Sequence, residues 1–375
     1  MSGTLKLFRI FGIDVQLHFS WWLVFIFLSW SLSAQFFPAY FPHQQASTYW
    51  IMGVLSALLL FVSVLLHELS HSLVAKAKKI EVETITLFFF GGVAGINDED
   101  LKPGAEFLMS IAGPLFSLVL AALFYLIHLQ SSNIFWNAIS LYLYQLNLVL
   151  GLFNLVPGYP LDGGRAFRAL LNAHYKNLKK ATGIAVLGGR IFAAMLIVLG
   201  VLSLMAGAGN GVWFIFLGVF LYFLAGISYE QVLLKEALGK ISVMGLLAKN
   251  YVKLDPTMHF SQFLHKYLEY DDEVFVVGNH AAIGILDLKT IDPLSPKAQK
   301  LLTVKHAAIP FSDLVVLRKT DNAFTAYHKF AEQNVDILPV MEKNKLLGFV
   351  TRRKIMHRLL WSMKYGVGKN KNNKK

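Results

Sequence analysis

Between residues 17 and 227, long apolar stretches alternate with short polar and basic connections; beyond that, short apolar runs are separated by amphipathic segments. A helix crossing the hydrocarbon core needs about 20 predominantly apolar residues. Six stretches approach that length: 17–37, 49–75, 107–129, 136–156, 191–208 and 212–227. The last two are short and joined by a Gly-rich turn at 207–211, which suits a tight helical hairpin. Residues 82–96 are too short to cross as a helix. Their β-branched and aromatic residues around Gly91 and Gly92 predict a small β-hairpin, and its position between spans predicts that it dips into the membrane. Non-helical backbone at that depth is tolerated only against protein or water.

Basic residues give the spans a direction. Lys6 and Arg9 precede the first span, and Lys76, Lys78, Lys79 and Lys102 follow the second. Arg165, Arg168, Lys176, Lys179, Lys180 and Arg190 follow the fourth, and Lys235 and Lys240 the sixth. The opposite connections, 38–48, 130–135 and 207–211, hold neither Lys nor Arg. Because Lys and Arg concentrate on the cytoplasmic side, both termini are expected in the cytoplasm of a multi-pass cell-membrane protein.

Composition agrees: 55% of the 375 residues are hydrophobic and 15% charged, against about 25% charged in soluble domains. The apolar excess ends near Tyr229, which predicts a membrane domain at 1–230, a soluble module at 240–360 and a disordered basic tail at 361–375. The net charge of +12 fits cytoplasmic loops against anionic lipid. No basic helix interleaved with exposed aromatics marks a nucleic-acid surface. Cysteine is absent, so any metal centre must use imidazole and carboxylate, as open catalytic sites do.

The second span carries such chemistry. His67-Glu68-Leu69-Ser70-His71 places two imidazoles four residues apart, on one face of a helix, where they can grip one zinc ion. Glu68 is placed to act on water beside the metal. The bland alternative is a pair of core histidines bonded to neighbouring carbonyls, but ionisable groups inside an apolar span are expensive and seldom accidental. Open zinc sites take three protein ligands. Pro157 and Pro160 break the fourth span and Gly163 and Gly164 let the chain turn, so Asp162 can point back into the bundle as the third ligand; its rival role is a helix N-cap.

These features resemble the site-2 protease family of intramembrane zinc metalloproteases. The resemblance rests on the His67–His71 motif, on Asn154 through Gly163 with Pro157 between them, on Phe90-Gly91-Gly92, and on Ile111-Ala112-Gly113-Pro114. It implies one zinc ion per chain held by His67, His71 and Asp162, with Glu68 as general base and acid, and Asn154 orienting substrate or stabilising the oxyanion. The implied substrate is a transmembrane helix of a membrane-bound regulator, unwound to pair with the strand near residues 88–94. His18 could gate the site, although anchoring beside Trp21 and Trp22 is the simpler role.

After Tyr229, Phe275-Val276-Val277 aligns with Leu338-Pro339-Val340, and Gly284-Ile285-Leu286 with Gly348-Phe349-Val350, at spacings of 63 and 64 residues. This is the mark of a duplicated α/β unit, with Asp255-Pro256-Thr257 and Lys319-Thr320-Asp321 opening its helices. It resembles a CBS-domain pair, which implies regulation or dimerisation. Carboxylates that would hold an adenosyl ribose are missing: Lys354 and Thr290 stand in those places, which argues against nucleotide binding. The competing reading is a CBS-gated transporter or channel, but repeated broken helices in corresponding halves are not evident.

Overall fold

The computed structural model describes residues 4–88, 91–96, 101–248, 251–267, 274–278, 284–286, 301–342 and 345–365. The chain divides into two compact units, Met1–Tyr229 and Glu230–Lys375. The expected tail at 361–375 is corrected at its start, since residues 361–365 complete a helix, Arg352–Tyr365; its remainder at 366–375 and the Asp287–Thr290 segment lie outside the described residues.

The first unit begins with two strands, β1 Thr4–Ile10 and β2 Ile13–His18. Here the expectation of a first span starting at Leu17 is corrected. Ile13, Val15 and Leu17 alternate with Asp14, Gln16 and His18, and the first three are buried, the period of a half-buried strand. The span itself runs Ser20–Tyr40, as α1 Ser20–Ser31, one π-helical turn at Leu32–Phe36, and α2 Phe37–Tyr40. The HExxH helix is α3 Ala46–Ala77. After it come β3 Val82–Phe88 and β4 Gly91–Ile96, paired antiparallel with Leu87 opposite Gly92. The expected hairpin is half of a larger sheet, because β3 also pairs parallel with β2, giving the order β1-β2-β3-β4. Its turn, Phe89-Phe90, lies outside the described residues. Ile13 and Ile85 of the sheet pack with Leu69 and Ala75 of α3 and with Met109, so the sheet covers the end of α3 that carries the histidines.

Four more long or amphipathic helices follow: α4 Pro103–Gln130, α5 Ile134–Asn154, α6 Asp162–Tyr175 and α7 Leu178–Met205. The last, α8 Gly211–Gly239, continues past Tyr229. Among the described residues six helices are long and apolar enough to cross a membrane. A second span boundary also differs from expectation. The fifth span starts at Leu178, not residue 191, so Lys179, Lys180 and Arg190 sit on the helix and not in a connecting loop. Aromatic faces accommodate two of these charges: Lys180 Nζ lies 4.0 Å from the Tyr175 ring centroid and the Arg190 guanidinium 5.2 Å from that of Tyr222.

In the second unit the duplicated pattern becomes duplicated geometry. The strands are β5 Tyr251–Leu254, β6 Val274–Val277, β7 Gly284–Leu286, β8 Ile309–Pro310, β9 Leu317–Arg318, β10 Ile337–Glu342 and β11 Lys345–Thr351. Phe275 faces Leu286 and Val277 faces Gly284 in the first antiparallel pair; Leu338 faces Val350 and Val340 faces Gly348 in the second. The parallel neighbours match too, Leu254 with Val277 and Leu317 with Val340. Helices α9 Phe260–Tyr267, α10 Val304–Ala307, α11 Ala323–Gln333 and α12 Arg352–Tyr365 pack with these sheets. The second repeat's cap is one residue later than expected: Asn322 Oδ1 accepts from Thr325 N at 2.9 Å, whereas Asp321 accepts from Arg318 N within the preceding turn.

Candidate metal centre

His67 and His71 are both buried on one face of α3. Asp162 opens α6, directly after the Pro157–Leu161 turn that ends the fourth span. The turn folds α6 back towards the bundle, and Tyr159 N donates to Ala185 O of α7 at 3.1 Å, which ties the turn to its neighbour. The result is a triangle of donor atoms. His67 Nε2 and His71 Nε2 are 3.1 Å apart, and each lies 3.2 Å from Asp162 Oδ2. Tetrahedral zinc with bonds of about 2.0–2.1 Å holds its donors about 3.3 Å apart, so the three residues fit the ion. Among the described residues this is the group of His, Asp and Glu side chains that meets such a spacing.

The far side of each imidazole is also fixed. His71 Nδ1 lies 2.6 Å from Met109 O. A backbone carbonyl only accepts, so Nδ1 of the neutral ring carries the proton and Nε2 presents its lone pair to the site. His67 Nδ1 lies 2.8 Å from Ser117 Oγ. Both partners belong to α4, and between them Gly113 leaves room for the rings. A Cβ there would collide with His71 Nε2 and come within 2.7 Å of His67 Nε2. Outer contacts of this kind set ring orientation and ligand basicity. Ser117 and Met109 were not singled out in the sequence; the signal available was their spacing with Gly113 along one helical face.

Glu68 sits on α3 under the edge strand β4. A Cβ on Gly92 would run into its Cγ and stand 3.2 Å from its Oε1, so this glycine lets the sheet approach the carboxylate. Asn154 ends α5, and its Nδ2 donates to Leu150 O at 3.1 Å. It takes no part in the hydrogen bonds joining the histidines to Asp162. His18 accepts from Ser20 N at 3.2 Å and lies 2.8 Å from Ser20 Oγ, where β2 passes into α1.

Residues 55–139 and 127–199 match peptidase family M50, and residues 305–360 match the CBS domain. Over 363 residues the chain is 32% identical to the zinc metalloprotease MJ0392 of Methanocaldococcus jannaschii, covering 95% of this chain and 96% of that protein. The chain belongs to peptidase family M50. A second relative is Rip3 of Mycobacterium tuberculosis, whose name marks it as a candidate zinc metalloprotease. It is 31% identical over 85% of this chain and 83% of its own length. Among solved structures, the site-2 protease of M. jannaschii is 33% identical, covers 60% of this chain and 95% of that one, and superposes with a TM-score of 0.41. The M50 match spans the HExxH helix, the α4 face behind it and the Asp162 turn, so family and geometry meet on the same residues. A CBS module therefore accompanies a membrane peptidase here, and the transporter reading lapses.

Proposed function

We propose that His67, His71 and Asp162 hold one zinc ion, and that Glu68 is the general base and acid of an intramembrane metalloendopeptidase. The observation that carries this is the convergence of three donor atoms, from α3 and α6, at 3.1 and 3.2 Å from one another. Membership in family M50 makes the chain a site-2 type zinc metalloprotease, and its substrates membrane proteins. When bound, zinc supplies Lewis acidity, lowering the pKa of water towards about 7 and polarising a carbonyl.

The chain's own residues do the rest. Glu68, next to the first histidine, takes a proton from the attacking water and delivers it to the departing amine. Asp162 and the two imidazoles fix the position at which this happens. Asn154 orients the substrate or stabilises charge on its carbonyl oxygen. A transmembrane helix must unwind before its backbone can be cut, and its freed N–H and C=O groups need partners in lipid. β4 is the edge of its sheet and passes over Glu68, so an unwound substrate could add to it as a further strand. On this reading the sheet would lie at membrane depth. The substrates would be membrane-bound regulators.

The distribution of Lys and Arg supports a cell-membrane orientation with both termini in the cytoplasm. Residues 1–230 would form the protease and 240–360 a CBS pair that regulates or dimerises it, with Lys354 and Thr290 in place of the carboxylates that would hold an adenosyl ribose; the basic tail would begin after α12, which ends at Tyr365. His18 would anchor the first span at the interface.

The deciding experiment compares wild type with Glu68→Gln on a reconstituted transmembrane-helix substrate, with zinc measured in both. Cleavage should fall by about 10²–10⁴-fold while zinc is retained. Wild-type cleavage by the variant would refute the role of Glu68. Unchanged zinc content in Asp162→Ala would remove that residue from the ligand set.

A further inference from the structure

Glu106 is a carboxylate in the first turn of an otherwise apolar membrane helix, α4, and it is 2% exposed. An ionised group so placed needs a partner. Its partner is Arg168 on α6: Nε donates to Glu106 Oε1 at 2.8 Å, and the guanidinium's second nitrogen closes on the same oxygen. The Arg168 guanidinium also lies 5.2 Å from the ring centroid of Tyr159, within cation–π range. Tyr159 belongs to the turn that precedes Asp162 and is itself buried.

These contacts join both halves of the metal centre. Arg168 grips the turn and the helix that present Asp162. Glu106 belongs to the same α4 face as Met109, whose carbonyl holds His71, and Ser117, which holds His67. The geometry points to the Glu106–Arg168 ion pair as a positioning brace that sets the rotation of α6, so that Asp162 Oδ2 meets the imidazoles at bonding distance. α6 is short and amphipathic, and its Asp162 end follows a turn rather than another helical span. Close packing at Gly163 and Gly164 holds the start of α6 against the preceding turn, and the ion pair adds a charged contact to α4 about one and a half turns further on. Metal sites lose affinity when a ligand's supporting contacts are removed, by about 10–100-fold.

The inference rests on the ligand assignment proposed above, and the test separates the two. Removing one member of a buried pair leaves an uncompensated charge and can unfold the protein; replacing both with apolar residues of similar volume often does not. The informative variant is therefore Glu106→Leu with Arg168→Met in the full chain, purified beside wild type and Asp162→Ala. Zinc affinity is read by competition with a chelator, and the fold by the melting temperature of the metal-free protein. The double variant should melt with metal-free wild type yet bind zinc at least about 10-fold more weakly. Wild-type zinc affinity in the double variant would overturn the brace, and so would failure of that variant to fold, since the pair would then be scaffold. Asp162→Ala that keeps wild-type affinity would instead refute the ligand assignment.

Discussion

Both units bury apolar side chains completely, Phe330, Leu338, Val340 and Phe349 in the second and Phe37, Met52 and Leu143 in the first, but the first also buries His67, His71, Glu106, Ser117 and Asn147. Among the described residues, every buried polar or charged side chain lies in the first unit. The difference teaches which solvent each unit faces. In water, apolar area is driven inward at roughly 25 cal/mol per Å². In lipid that drive is absent, and polar groups collect inside because hydrocarbon offers them no partner. The first unit satisfies part of them within its own helices, while among the described residues Ser56 and Ser110 Oγ are buried without a hydrogen-bond partner. Ser33, Ser63 and Ser140 each donate to the carbonyl four residues back, and Asn147 bridges Ser63 and Leu143 O. The proposed metal centre of His67, His71 and Asp162 extends that polar interior.

The sharpest way to break the contrast is Gly113→Ala, which adds one apolar methyl inside the membrane unit. It should cost zinc affinity on the order of 100-fold, because the methyl occupies the space of both imidazole tips. Chelator competition reads this, and retention of wild-type affinity would deny that α4 backs the site. In the second unit the apolar core should carry stability and nothing else. Phe330→Ala should cost about 3–5 kcal/mol of that unit's stability and leave zinc affinity untouched, as measured by denaturant unfolding and metal titration.

Ser117→Ala removes only the hydroxyl behind His67. Zinc affinity should fall about 10-fold, near 1.4 kcal/mol, with little change in melting temperature; an equal loss of both would make Ser117 a packing residue. The smallest effect is expected from the exposed pair Lys319–Glu342, at 3.4 Å with both side chains about half exposed. Lys319→Ala should change unfolding free energy by no more than about 0.5 kcal/mol. A larger value would mean that the module's surface charges are better ordered than exposure suggests.

Some of the fold was legible and some was not, for identifiable reasons. Six spans follow from apolar length, which lipid enforces residue by residue. The duplicated module was readable because the spacings Val277–Val340 and Gly284–Gly348, 63 and 64 residues, are nearly equal, and the extra residue falls between strands whose register is kept. β2 was missed although Ile13, Val15 and Leu17 alternate cleanly, because the neighbouring apolar run claimed Leu17 for a helix. Lys179, Lys180 and Arg190 pushed the expected start of α7 too late, since charge density is a poor guide where aromatic rings can cover it.

Sequence alone pointed to the proposed metal chemistry: two histidines four apart on a helix must share a face, with Glu68 beside them. It also offered Asp162, through prolines and glycines that forbid the fourth span from continuing. Which atoms meet across separate helices emerged from the folded chain alone. Ser117, Met109 O and Gly113 behind the imidazoles, Gly92 over Glu68, and Arg168 reaching Glu106 are products of packing between α3, α4, α6 and the sheet. Local sequence fixes which way a side chain points from its own helix, but not which helix stands opposite it.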